Sequence, residues 1–155
     1  MTSPGIPPQQ YPMQATSRPN ILYAHEPTLP VAEFRRVLVE SGLGALRPVD
    51  DAARLQAMLD GAGLIVTARL DSLGRPLVGI ARSITDGAWC CYLSDLAVCA
   101  SAQRMGIGQG LLDETRQQIG PGVTLLLISV DGAVGFYERA GMTRVHTAFW
   151  RRREQ

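Results

Sequence analysis

No uninterrupted apolar run in the 155 residues approaches the roughly 20 that a membrane-spanning helix needs. The N-terminus has no basic stretch followed by an apolar one, so it does not read as a secretory signal. Together these predict a cytoplasmic protein with no membrane partner. Excess charge is also missing. The formal net charge is +1, which argues against a bulk nucleic-acid binder. The densest basic run, Arg151-Arg152-Arg153, reads as a solvated tail or as an aid to holding a polyanion. Cysteine is scarce: Cys90, Cys91 and Cys99, all within or just after one strand-like run. An odd number in one element makes no disulfide framework. Neighbours on a strand point to opposite faces, so Cys90 and Cys91 make no metal pair. They read as small buried hydrophobes in a reducing compartment, and no metal site is expected. No internal repeat and no second domain can be found.

What is present fits one core. The length suits a single domain, and 46% hydrophobic with 19% charged residues is ordinary for a globular chain. Half of the ten prolines fall within residues 1–19, which therefore read as a flexible or extended lead-in. The domain proper is expected over 20–155. Ile21 to Tyr23 is a short strand candidate. Thr28 can cap a helix with Pro30 in its first turn, with Val31, Phe34, Val37 and Leu38 on one face and Gly42 at its end. A second helix starts near Asp50 or Asp51, with Ala52, Leu55 and Leu59 as its stripe and Gly61 as its stop. Runs 64–70, 77–84 and 89–98 are strands separated by turn clusters, too closely spaced for anything but an antiparallel meander. A helix over 108–119 follows, stopped by Gly120-Pro121-Gly122. Then comes a near-continuous apolar run, 123–130, the pattern of a strand buried on both faces. Strand, helix and strand make a right-handed crossover, so 89–98 and 123–130 should be parallel. Asp131 is placed to cap a short helix over 133–140, with Gly141 beyond its end, and 144–150 reads as a final strand. The class is α/β, a mixed α+β sheet with helices on both faces.

Residues Gln103 to Gly110 carry the clearest chemical signal. Glycines 106, 108 and 110 leave little side chain in a ligand's way, and a glycine-rich turn opening a helix presents unpaired N–H groups to an anion. The segment is therefore expected to hold a diphosphate. A nucleoside-triphosphate loop would need Lys-Ser/Thr after the last glycine, where Leu111 and Leu112 stand. The dinucleotide fingerprint would need glycine at 111 and no residues between strand and first glycine; here 99–105 intervene.

Gln103-x-x-Gly106-x-Gly108 resembles the Gln/Arg-x-x-Gly-x-Gly/Ala motif of the GNAT superfamily of acyl-CoA-dependent N-acyltransferases. Ala133-x-x-Phe136-Tyr137-Glu138-x-x-Gly141-Met142 resembles that family's late helix and turn. The likeness spans about residues 20–150, with two departures: Val130 where relatives often have Asn, and Met142 for the usual Phe. It implies a GNAT-like fold and acetyl-CoA as co-substrate. The diphosphate would lie on the amides of Arg104, Met105, Gly106, Ile107, Gly108 and Gln109, with Gln103 and the charge of Arg104 beside them. The edge of Leu96, Ala97 and Val98 would pair with the pantetheine arm. Phe136 reads as core or as a cofactor contact. Tyr137 stands where many relatives carry the general acid for the departing thiolate.

The base that frees the amine is harder to place. Asp95, among apolar neighbours on simple alternation, is the candidate; the other reading is a carboxylate satisfied by backbone donors or an arginine and holding a bulge. Asp86, Tyr92 and His146 are weaker candidates, and His25 has no supporting pattern. Trp89, Trp150 and Tyr92 hint at an aromatic pocket. The expected activity is transfer of acetyl to the primary amine of a small molecule. A non-catalytic acyl-CoA-binding sensor is the alternative, and longer acyl groups or an oxygen acceptor remain open. Many relatives are dimers, and the proline-rich lead-in is placed to cross a homodimer interface.

Overall fold

The computed structural model describes residues 19–154. The lead-in expectation falls almost wholly on residues 1–18, outside that range. Five strands form one sheet in the order β1 to β5: Ile21–His25, Leu64–Leu70, Leu77–Thr85, Cys90–Val98 and Thr124–Leu126. The first four pair antiparallel and β4 pairs with β5 in parallel, as the short turns and the crossover helix require.

Helices cover both faces. On one lie α1 (Val31–Glu40) and α2 (Ala52–Asp60). Phe34, Val37, Leu38, Leu55 and Leu59 bury their stripe against Ile65, Leu77, Ile80 and Ala97. On the other lies α3 (Ile107–Ile119), whose Ile107, Leu111 and Leu112 meet Leu64, Val66, Ala81 and Leu93. The 3.6-residue spacing of these side chains makes both layers possible. Asp51 caps α2 through the Arg54 N–H. Thr28 caps nothing: Pro30 takes an extended ψ of 132° at the N-cap of α1, which leaves Thr28 too far back. Asp131 likewise makes no side-chain cap; it opens a 3-10 turn, Asp131–Ala133, that leads into α4, Val134–Arg139. Gly141, at φ +80°, ends this last helix with its N–H on the Glu138 carbonyl.

Two sequence expectations fail at the end of the chain. The run 123–130 is not a doubly buried strand. Only Thr124–Leu126 pair, on one side, and Leu126, Ile128 and Val130 are each about half exposed. No strand forms over 144–150 either; Val145 and Trp150 are largely exposed and Phe149 is 99% exposed. The reason lies in β4. Its partner Arg82 faces Asp95 while Ser83 faces Leu93, so Ser94 has no residue opposite it. This bulge turns β4, and its pairing with β5 stops at Tyr92. Residues 127–130 therefore have no strand beside them, and 144–150 does not pair with the free outer edge of the three-residue β5.

Candidate active site

Where β4 leaves β5, a cleft of about 990 Å³ opens. Its floor is the freed edge, Leu96, Ala97 and Val98. The Cys99 N–H bonds back to Val78 of β3, so by antiparallel alternation the main-chain groups of Leu96 and Val98 point into the opening. Gln103 Nε2 takes the Val98 carbonyl at 3.0 Å, which ties the following loop to the strand end. The Leu96 N–H and C=O and the Val98 N–H remain directed at the cleft.

The start of α3 forms one end. Gly106 is its N-cap, at φ +81°, and no side chain caps the helix. The first-turn amides of Ile107, Gly108 and Gln109 therefore lack intrahelical acceptors and carry the positive end of the dipole. Arg104 also has a left-handed backbone, φ +62°, unusual for a residue with a side chain. Two left-handed residues in three turn successive N–H groups toward one point, which is how a backbone makes an anion-binding hollow. A Cβ on Gly106 would stand in open space, so glycine serves its φ there. On Gly108 it would lie 3.3 Å from the Phe136 ring. These groups fit a diphosphate.

The facing walls come from the chain around α4 and from residues 41–46. Gly132, Ala133, Phe136, Tyr137 and Arg139 form one; Ser41, Gly42, Leu43, Ala45 and Leu46 form the other. Tyr137 is part-buried and packs edge-on against Phe136, with ring centres 5.0 Å apart. Burial raises its pKa above the usual phenol value.

Of the residues read from the sequence, Leu96, Ala97, Val98, Gln103, Arg104, Gly106, Ile107, Gly108, Gln109, Phe136 and Tyr137 line this one cleft. Met105 does not; its side chain packs on the core beneath α3. Asp95 does not line it either, and its surroundings are not those of a base. The side chain is fully buried, with Oδ1 on Arg47 Nε and Oδ2 on Arg82 Nε, both at 2.5 Å. With no exposed surface and a guanidinium on each oxygen, it is out of reach of an amine in the cleft. The second expectation, a carboxylate held by arginine at a bulge, describes it. Nor does simple alternation hold across that bulge: Leu93 belongs to the α3-side core and Ala97 to the other.

The weaker candidates are elsewhere. Asp86 accepts from the N–H groups of Ala88, Trp89 and Cys90 in the β3–β4 turn, which pulls its carboxyl down to about 2. Tyr92 lies in the paired part of β4, and Trp89, His146 and Trp150 are exposed outside the cleft. Cys90 is exposed, unlike the buried Cys91 and Cys99. Among the described residues no three His, Cys, Asp or Glu side chains gather as metal ligands, and no helix is long and apolar enough to cross a membrane. Sequence reasoning missed Arg47, Arg82, Arg139 and the 41–46 wall. Arg82 had a signal: an arginine inside a run otherwise fit for burial demands an acidic partner.

An uncapped helix start, an open strand edge and a part-buried phenol thus line one cleft. Residues 44–152 match the family model described as acetyltransferase (GNAT) domain. The chain belongs to the GNAT acetyltransferase family and is an acetyltransferase. A GNAT-family acetyltransferase from Streptococcus pneumoniae superposes with a TM-score of 0.65 at 25% identity, covering 87% of this chain and 100% of that one. Two more distant structures share the fold. An aminoglycoside acetyltransferase from an uncultured soil metagenomic sample gives 0.64 at 19% identity, covering 86% and 97%. Glucosamine-6-phosphate N-acetyltransferase from Arabidopsis thaliana gives 0.59 at 12%, covering 86% and 98%. No curated protein matches the chain.

Proposed function

We propose that the protein transfers the acetyl group of acetyl-CoA to a primary amine of a small molecule, by direct attack while both substrates are bound. The carrying observation is that the α3 amides, the Leu96–Val98 edge and Tyr137 share one cleft. Acetyl-CoA supplies an activated acetyl group. The amides of residues 104–109 and the Arg104 guanidinium bind its diphosphate, and the β4 edge pairs with its amide-bearing arm as one strand pairs with another. The Phe136 ring packs over Gly108 and forms part of the wall around it.

Tyr137 holds a proton at Oη for the thiolate that departs as nitrogen bonds to the acetyl carbon. A raised pKa keeps that proton in place through neutral and mildly alkaline pH. Among the described residues no Asp, Glu or His lines the cleft, so the proton leaving the amine passes to water. Tyr137→Phe is expected to lower kcat by about 100-fold while the acetyl-CoA Kd stays within about twofold. In the wild type kcat falls only as pH rises past the raised phenol pKa, and that limb is absent from the variant. Equal turnover across the pH range would remove Tyr137 from the reaction.

A further inference from the structure

We propose that Arg47, Asp95 and Arg82 form a clasp that fixes the 41–46 wall of the cleft to its β4 floor, with Arg47 as a positioning residue for acetyl-CoA; the binding role rests on the function proposed above. The two guanidiniums that hold Asp95 also converge on the bulge. Arg47 Nη2 donates to the Ser94 carbonyl at 2.8 Å, and Arg82 Nη2 to Ser94 Oγ at 2.9 Å. Arg82 Nη1 continues to the Met58 carbonyl of α2 at 3.0 Å. One extra residue in the β4 ladder is thus gripped by cations from two different elements.

Ser94 stands at the fork where β4 stops pairing with β5 and its edge becomes the cleft floor. Arg47 directly follows the 3-10 turn Leu43–Leu46, which with Ser41 and Gly42 makes the facing wall. Its own N–H bonds the Gly44 carbonyl and its Nη1 the Leu46 carbonyl. A single side chain therefore joins wall to floor. To the apolar packing between β4 and the 41–46 turn, a carboxylate shared by two forked cations adds directional bonds that fix their relative position. The arms are unequal. Arg82 is 5% exposed and Arg47 19%, so Arg47 is the one that can be removed while Asp95 keeps a partner.

The test compares wild type, Arg47→Ala and Arg47→Lys. Amide hydrogen exchange is read on the ligand-free proteins, and acetyl-CoA binding by calorimetry alongside steady-state kinetics. In Arg47→Ala, exchange over 41–46 and 94–98 should quicken about tenfold or more, with α3 and β2 unchanged. Kd and KM for acetyl-CoA should rise about tenfold with kcat within about twofold, the reverse of the Tyr137→Phe pattern. Arg47→Lys, which cannot reach Asp95 and Ser94 together, should fall between on both readouts. Unchanged exchange overturns the clasp. So does protection lost equally everywhere, which would make the cluster a support of the whole fold. Faster local exchange with unchanged affinity overturns the positioning role. A wild type that binds no acetyl-CoA overturns the functional reading, and the exchange data still decide the clasp.

Discussion

Three glycines that look alike in the sequence do three different things. Gly106 provides a left-handed N-cap in open space, Gly108 lies under the Phe136 ring, and Gly110 leaves a notch filled by Tyr23. A Cβ on Gly110 would come within 2.2 Å of the Tyr23 ring and hydroxyl. Gly106→Glu is expected to abolish acetyl-CoA binding in calorimetry by adding a negative charge and side chain beside the free amides; normal affinity would refute the loop assignment. Gly110→Ala should instead cost about 1–3 kcal/mol of stability through overpacking, measured by urea unfolding, with affinity nearly unchanged. Spacing marked the segment as a ligand loop, but it carries no trace of Tyr23 or Phe136, which arrive from distant strands and helices. The same holds for Asp95: the residues that alternation puts on its face are apolar or small, while the two arginines that neutralise it come from elsewhere.

Among elements, β1, β2 and α1 are joined by one arginine. Arg69 of β2 pairs with Glu26, just past β1, and with Glu33 in the first turn of α1. Its hydrogen bonds are the main reason both carboxyls titrate below their ordinary range, and they hold the guanidinium firmly protonated. Lowered folded values mean that this contribution is fully present above the unfolded glutamate pKa of about 4.3 and is lost as pH falls through the lowered ones. The urea midpoint should therefore drop on going from neutral pH to about pH 3, and Arg69→Gln should flatten that drop. Equal slopes for variant and wild type would count against the network. Helices α1, α2 and α3 were legible because their apolar stripes and stops are local. So was the meander, whose turns are short. The last two strands were misread because β-branched and aromatic residues report fitness for a strand, not the presence of a neighbour to pair with. The bulge beyond which β4 no longer pairs with β5 is held by Arg47 and Arg82, far from 123–150 in sequence.

At the scale of the molecule, a net charge of +1 hides an uneven distribution. The cleft lining includes Arg104 and Arg139 and, among the described residues, no carboxylate. On the proposed function, a polyanionic carrier would be attracted there by the arginine charge and by the α3 dipole. Raising ionic strength from about 0.05 to about 0.5 M should weaken acetyl-CoA binding several-fold by shortening the screening length. A salt-independent Kd would show that apolar contacts dominate instead. The notch at Gly110 has a mechanical consequence as well. Tyr23 belongs to the first strand, yet it sits against the first turn of the helix whose N-terminus is proposed to hold the diphosphate. Were α3 to creep along its axis, a bulkier neighbour of Gly110 would ride up against the phenol ring. The earliest strand in the sheet thus acts as a stop beside the first turn of α3, and through it limits how far the tip of that helix can shift toward the cleft.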